Sequence, residues 1–118
     1  MADILQTWVE KIRTNDPVQV AALYHDDGLL LGTFSDIERK DHDTILEYFV
    51  YLLQNKSVDV EIVTQHKHES DSLVTNSGLY NFIVDGKTVK ARFSFVFIKT
   101  GDSWKILSLH SSVLPESH

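Results

Sequence analysis

The sequence predicts an α+β domain in which three N-terminal helices pack on one face of a curved antiparallel sheet. Apolar residues recur at spacings of three and four only in the first half of the chain. From Ser57 onward the apolar residues alternate, and short polar turns, two of them containing Gly, separate the alternating runs. Helical periodicity followed by uninterrupted period-two alternation gives helices set against a meander rather than βαβ units. At 118 residues the chain has the size of one domain, taken as 1–118.

Ile4, Leu5, Trp8, Val9 and Ile12 form one stripe of a first helix. "TNDP" ends it, and Asp16 with Pro17 starts a second helix carrying Val18, Val20, Ala21, Ala22 and Leu23. "HDDG" reads as a turn, "GLLLGT" as a short strand and "FSDIERKDHD" as a polar connection. Asp41 or Asp43 caps a third helix, "TILEYFVYLLQ", with Ile45, Phe49, Leu52 and Leu53 buried. The remaining runs, "SVDVEIVTQHKH", "DSLVTNSGLYNFIV", "KTVKARFSFVFIKT" and "SWKILSLHSSVL", read as sequential strands. Asp85-Gly86 is a strong hairpin signal, and Gly101-Asp102 marks the next turn.

Composition narrows the function. With 17 acidic and 11 basic residues the formal charge is −6, which argues against nucleic acid as a main partner. No run approaches the roughly 20 apolar residues of a membrane span, and the N-terminal pattern lacks the apolar core of a signal peptide. The absence of cysteine excludes disulfides, thiolate metal sites and a Cys nucleophile, and fits a cytoplasmic protein.

On the long strand, Val89, Ala91, Phe93, Phe95 and Phe97 share one face, and Lys90, Arg92, Ser94, Val96 and Ile98 the other. Either face can meet the helices. The mixed face fits a pocket lining, a half-solvated sheet or an oligomer interface. Apolar residues on both faces near Phe95 to Ile98 predict a homo-oligomer, at least a dimer. An Arg at mid-strand needs a counter-charge if buried, so Arg92 is expected to hold an anion inside the fold or to pair with a carboxylate.

The order of elements, with the segments "DPVQVAALYHDDGLLLGTFS", "ILEYFVYLL", "NSGLYNF", "VKARFSFVFIK" and "WKILSLHSSVLPE", resembles the cone-shaped nuclear transport factor-like fold, also called SnoaL-like or cystatin-like. More specifically it resembles the association domain of calcium/calmodulin-dependent protein kinase II. The terminal "HSSVLPE" is similar to the "HHSSxMPE" ending of the iota-class carbonic anhydrases built on that domain. Leu109 stands in place of the first His and Leu114 in place of the Met, while His110, Ser111, Ser112, Pro115 and Glu116 match.

This resemblance implies reversible hydration of carbon dioxide to bicarbonate in a hydroxyl-lined pocket. The implied residues are Thr33, Tyr48, His110, Ser111 and Ser112, with Arg92 and Tyr51 for anion binding. Tyr51 shares a similar helix face with Tyr48, so the choice of tyrosine stays open. Alternation sends Ser111 to the opposite face from His110 and Ser112, so the choice of serine stays open as well. No cofactor is expected, although the resemblance leaves a divalent metal possible. His66 and His68 point the same way but lack an obvious third ligand. Asp41-His42-Asp43 opens a helix and reads as caps. The contrasting expectation is a non-catalytic oligomerisation hub of the association-domain type that binds a small anion.

Overall fold

The computed structural model describes residues 4–33, 35–54 and 56–115. Helices α1 (Ile4–Arg13), α2 (Pro17–Ala21) and α3 (His42–Leu53) pack against strands β1 (Tyr24–Leu31), β2 (Val58–Ile62), β3 (His66–Glu69), β4 (Leu73–Val84), β5 (Lys87–Thr100) and β6 (Ser103–Val113). The strands form one sheet in the order β1-β6-β5-β4-β2, with β3 also pairing β4. The α+β class is that expected, and the element order differs from the expectation by one extra strand after α3.

The aromatic face of β5 meets the helices. Ala91, Phe93, Phe95 and Phe97 are buried, as are Leu5, Trp8, Val9 and Ile12 of α1 and Ile45, Phe49, Leu52 and Leu53 of α3. Trp8 links the layers, stacked on Tyr80 at 6.0 Å and edge-on to Phe95 at 5.3 Å. Such aromatic pairs add to the burial of apolar area that holds the layers together. Asp16 caps α2 by accepting from the Val18 amide, and Asp41, not Asp43, caps α3 by accepting from the Thr44 amide. The Asp85-Gly86 turn takes positive φ at both residues, as a two-residue hairpin requires.

Four expectations are corrected. The sheet is not wholly antiparallel, because β1 runs parallel to β6, with Leu30 opposite Leu109 and Leu31 opposite His110. Hairpin logic governs only strands consecutive in sequence, and the long excursion between β1 and β6 removes that constraint. The second helix stops at Ala21 rather than Leu23, because the Leu23 carbonyl accepts from the Ile106 amide and draws the chain alongside β6. "HDDG" is accordingly not a free turn but an irregular stretch inside β1, where the register with β6 shifts between Tyr24 and Leu29. "SVDVEIVTQHKH" is broken into β2 and β3, with the Val63 and Thr64 amides both donating to the Leu79 carbonyl between them.

Candidate functional site

Beyond Leu31 the chain leaves the sheet. It returns at Arg39, which exchanges two backbone hydrogen bonds with Leu30. The last residues of β6 therefore have no neighbouring strand on that side. The gap is an open pocket of about 340 Å³. Thr33 and Ser111 reach it from inside, His110 and Ser112 from the outer face, and Asp36 and Glu38 from the connection. Because the pocket sits at the edge of the sheet, residues of both faces of β6 line it.

Its floor is a chain of hydroxyls. Thr33 Oγ1 lies 2.6 Å from Ser111 Oγ, and Ser111 Oγ is also bonded to Tyr80 Oη. Tyr48 Oη donates to the Thr33 carbonyl at 2.8 Å. Thr33, Tyr48, Tyr80 and Ser111 are 3%, 4%, 0% and 5% exposed. Gly32 makes the approach of Tyr48 possible, since a Cβ there would stand 2.6 Å from the Tyr48 ring.

Proton counting fixes what this floor offers. Tyr80, Ser111 and Thr33 bring three O–H hydrogens to two mutual bonds. Tyr80 has no other hydroxyl partner among the described residues and is wholly buried. It therefore donates to Ser111, because a phenol hydrogen left unpaired would cost about 1–3 kcal/mol. Whichever way the Ser111–Thr33 bond points, one O–H remains unspent. Both residues line the pocket. The floor thus presents one hydrogen-bond donor that no other described residue consumes.

The tyrosines are donors rather than bases. Burial pushes the Tyr48 phenol well up, against a smaller opposing effect of the Arg39 charge. Burial likewise raises Tyr80, partly offset by its bond to Ser111. The groups of general-base type in the pocket are Asp36, Glu38 and His110, all exposed on its walls.

Five of the expected residues, Thr33, Tyr48, His110, Ser111 and Ser112, converge on this pocket or its floor. Tyr48 is the inward tyrosine. Tyr51 is 64% exposed, with the Lys56 ammonium 4.8 Å from its ring centroid, so it stands apart from the floor. Ser111 is the inward serine, and His110 and Ser112 face out. Arg92 also faces out: it is exposed and lies opposite Ser112 across β5 and β6, so it does not lie inside the cone. It needs no buried counter-charge because water solvates it.

The space among Trp8, Tyr48, Tyr80, Leu109 and Ser111 has no room for a water-sized sphere. Sequence reasoning missed Tyr80, although its alternation with Phe82 places both on the inner face. Asp36 and Glu38 were missed because nothing local marks a loop as a pocket wall. His66 and His68 lie exposed on β3, and no group of three or more His, Asp or Glu among the described residues is placed to hold a metal. Glu116 of the terminal motif lies outside the described residues.

Comparison with known proteins supplies the context. The SnoaL-like domain family model matches residues 1–116. A Xanthomonas campestris protein provisionally described as a calcium/calmodulin-dependent protein kinase II association domain superposes with a TM-score of 0.90. It is 33% identical, and the match covers 97% of this chain and 85% of that one. A Streptomyces avermitilis protein of the NTF2-like family, provisionally described as a dehydratase, is 13% identical with a TM-score of 0.85, covering 95% and 91% of the two chains. A Parabacteroides distasonis protein provisionally described as a ketosteroid isomerase is 14% identical with a TM-score of 0.77, covering 94% and 85%. The last two share the fold alone. No curated protein matches the sequence.

Proposed function

We propose, for a chain that belongs to the SnoaL-like domain family, that the pocket at the end of β6 binds carbon dioxide and bicarbonate and catalyses their interconversion. The observation that carries the reading is the unspent O–H shared by Thr33 and Ser111 on the pocket floor. As water attacks the carbon, a C–O bond forms and one C=O π bond breaks, placing charge on an oxygen. A fixed donor aimed at that oxygen stabilises charge where it develops. The proton of the attacking water passes to a wall base and then to solvent, and His110, exposed at the rim, is suited to that exchange. Asp36 and Glu38 repel the bicarbonate product, weakly because both are exposed, and so favour its release. The test is stopped-flow carbon dioxide hydration, with and without chelator and with added divalent metals. Hydration above the buffer rate supports the reading, and its absence under every condition ends it.

A second reading rests on a different observation. Leu73, 41% exposed, lies opposite half-buried Ile98 on the outer sheet face, next to half-buried Val96. We infer self-association through this apolar end, in keeping with the association-domain description of the 33% identical neighbour. Sedimentation at micromolar concentration checks it, and a 13.5 kDa species alone would rule it out.

A further inference from the structure

The outer face of the sheet holds a second open groove, of about 640 Å³, where β3, β4, β5 and β6 run side by side. One cross-strand row reads His66, Ser77, Ser94, His110. The next places Arg92 between Leu79 and Ser112.

The donors here are again in excess. Ser77 donates to Ser94 at 3.0 Å, and among the described residues the Ser94 hydrogen has no acceptor. Arg92 Nε donates to Ser112 at 3.2 Å, and among the described residues the Ser112 hydrogen and both Nη groups have no acceptor. Among the described residues no carboxylate lines the groove and Arg92 takes part in no salt bridge. In a chain of net charge −6 this is a local reversal of sign.

We propose that this groove is a binding site for a phosphate-class oxyanion, free or carried as a phosphomonoester, held by the Arg92 guanidinium and the Ser94 and Ser112 hydroxyls. The Arg92 fork offers two N–H groups to one oxyanion, a geometry suited to phosphate. The hydroxyls supply donors from the two flanking directions, which a tetrahedral anion with several oxygens can use together. The groove shares His110 and Ser112 with the edge pocket, but Arg92 and Ser94 line only the groove and Thr33 only the edge pocket, so the two readings are tested by different residues.

The experiment is calorimetric titration at constant ionic strength with inorganic phosphate in one arm and phenyl phosphate in the other. Saturable binding of either probe to the unaltered protein is expected. Arg92→Gln, at an exposed position that the fold does not need, should weaken it by at least about tenfold. Ser94→Ala should weaken it by a smaller factor in the same direction. Tighter binding of phenyl phosphate identifies a phosphomonoester site, and equal binding identifies the free anion. No saturable binding of either probe overturns the proposal. So does an unchanged Kd in Arg92→Gln, or binding lost in Thr33→Val but kept in Arg92→Gln, which would put the anion in the edge pocket.

Discussion

Ser111 and Ser112 are neighbours in sequence and occupy opposite faces of β6. Ser111 is buried between Tyr80 and Thr33, and both of its neighbours are held by the core. Ser112 is half-buried, and its neighbour is the exposed Arg92. The same side chain is thus a fixed part of a hydrogen-bond chain in one position and a replaceable, partly hydrated group in the other. The contrast extends along both faces. The inner hydroxyls are held in place by burial and by bonds to one another, leaving one O–H toward the pocket, whereas the outer ones are partly hydrated.

The largest effect separating the two faces is expected at high pH. Burial raises the phenols of Tyr24, Tyr48 and Tyr80 above their ordinary value near 10. Above about pH 10 the unfolded chain releases these protons while the folded one keeps them. Their contribution is fully present below that pH and is lost as pH rises. The slope is about 1.4 kcal/mol per pH unit for each group, or roughly 4 for the three. Urea unfolding from about pH 9 to 11 measures it, and Tyr80→Phe should remove about a third of the slope. A flat profile would mean that the inner face is wet.

Removing Ser111 tests the same contrast at neutral pH. Ser111→Ala leaves the buried Tyr80 hydroxyl without a partner and should cost about 1–3 kcal/mol in denaturant unfolding. Gly32→Ala should cost a similar amount, about 1–3 kcal/mol, because its Cβ would displace the Tyr48 ring from the Thr33 carbonyl. Ser112→Ala should stay within about 0.5 kcal/mol. Equal costs for the two serine substitutions would erase the distinction between the faces.

Much of this was legible in the sequence. The stripe of α1, the Asp16 cap, an Asp cap on α3 left between Asp41 and Asp43, and the Asp85-Gly86 turn are local signals with local causes. Alternation along "LHSSV" places Ser111 opposite His110 and Ser112, and only the choice of face was open. The parallel pairing of β1 with β6 was not legible, because pairing between strands far apart in sequence leaves no mark in either. Arg92 was misplaced for a related reason. A mixed strand face reads alike whether it meets a core or water, and the aromatic run on the other face decided the matter only once the helices were docked. Tyr80 was hidden among core aromatics, because its role depends on a hydroxyl contact with a strand 31 residues away.

The central claim is that the buried hydroxyls of the inner face, held in place by the core, supply the catalytic donor to the edge pocket, and that the half-buried Ser112 hydroxyl on the outer face does not. Stopped-flow carbon dioxide hydration by the unaltered protein, Ser111→Ala and Ser112→Ala tests it in one series. The account predicts a measurable rate in the unaltered protein and a fall of about two to three orders of magnitude in Ser111→Ala. Ser112→Ala should remain within a few-fold of the unaltered rate. Equal losses in the two variants, or a loss in Ser112→Ala alone, would contradict it.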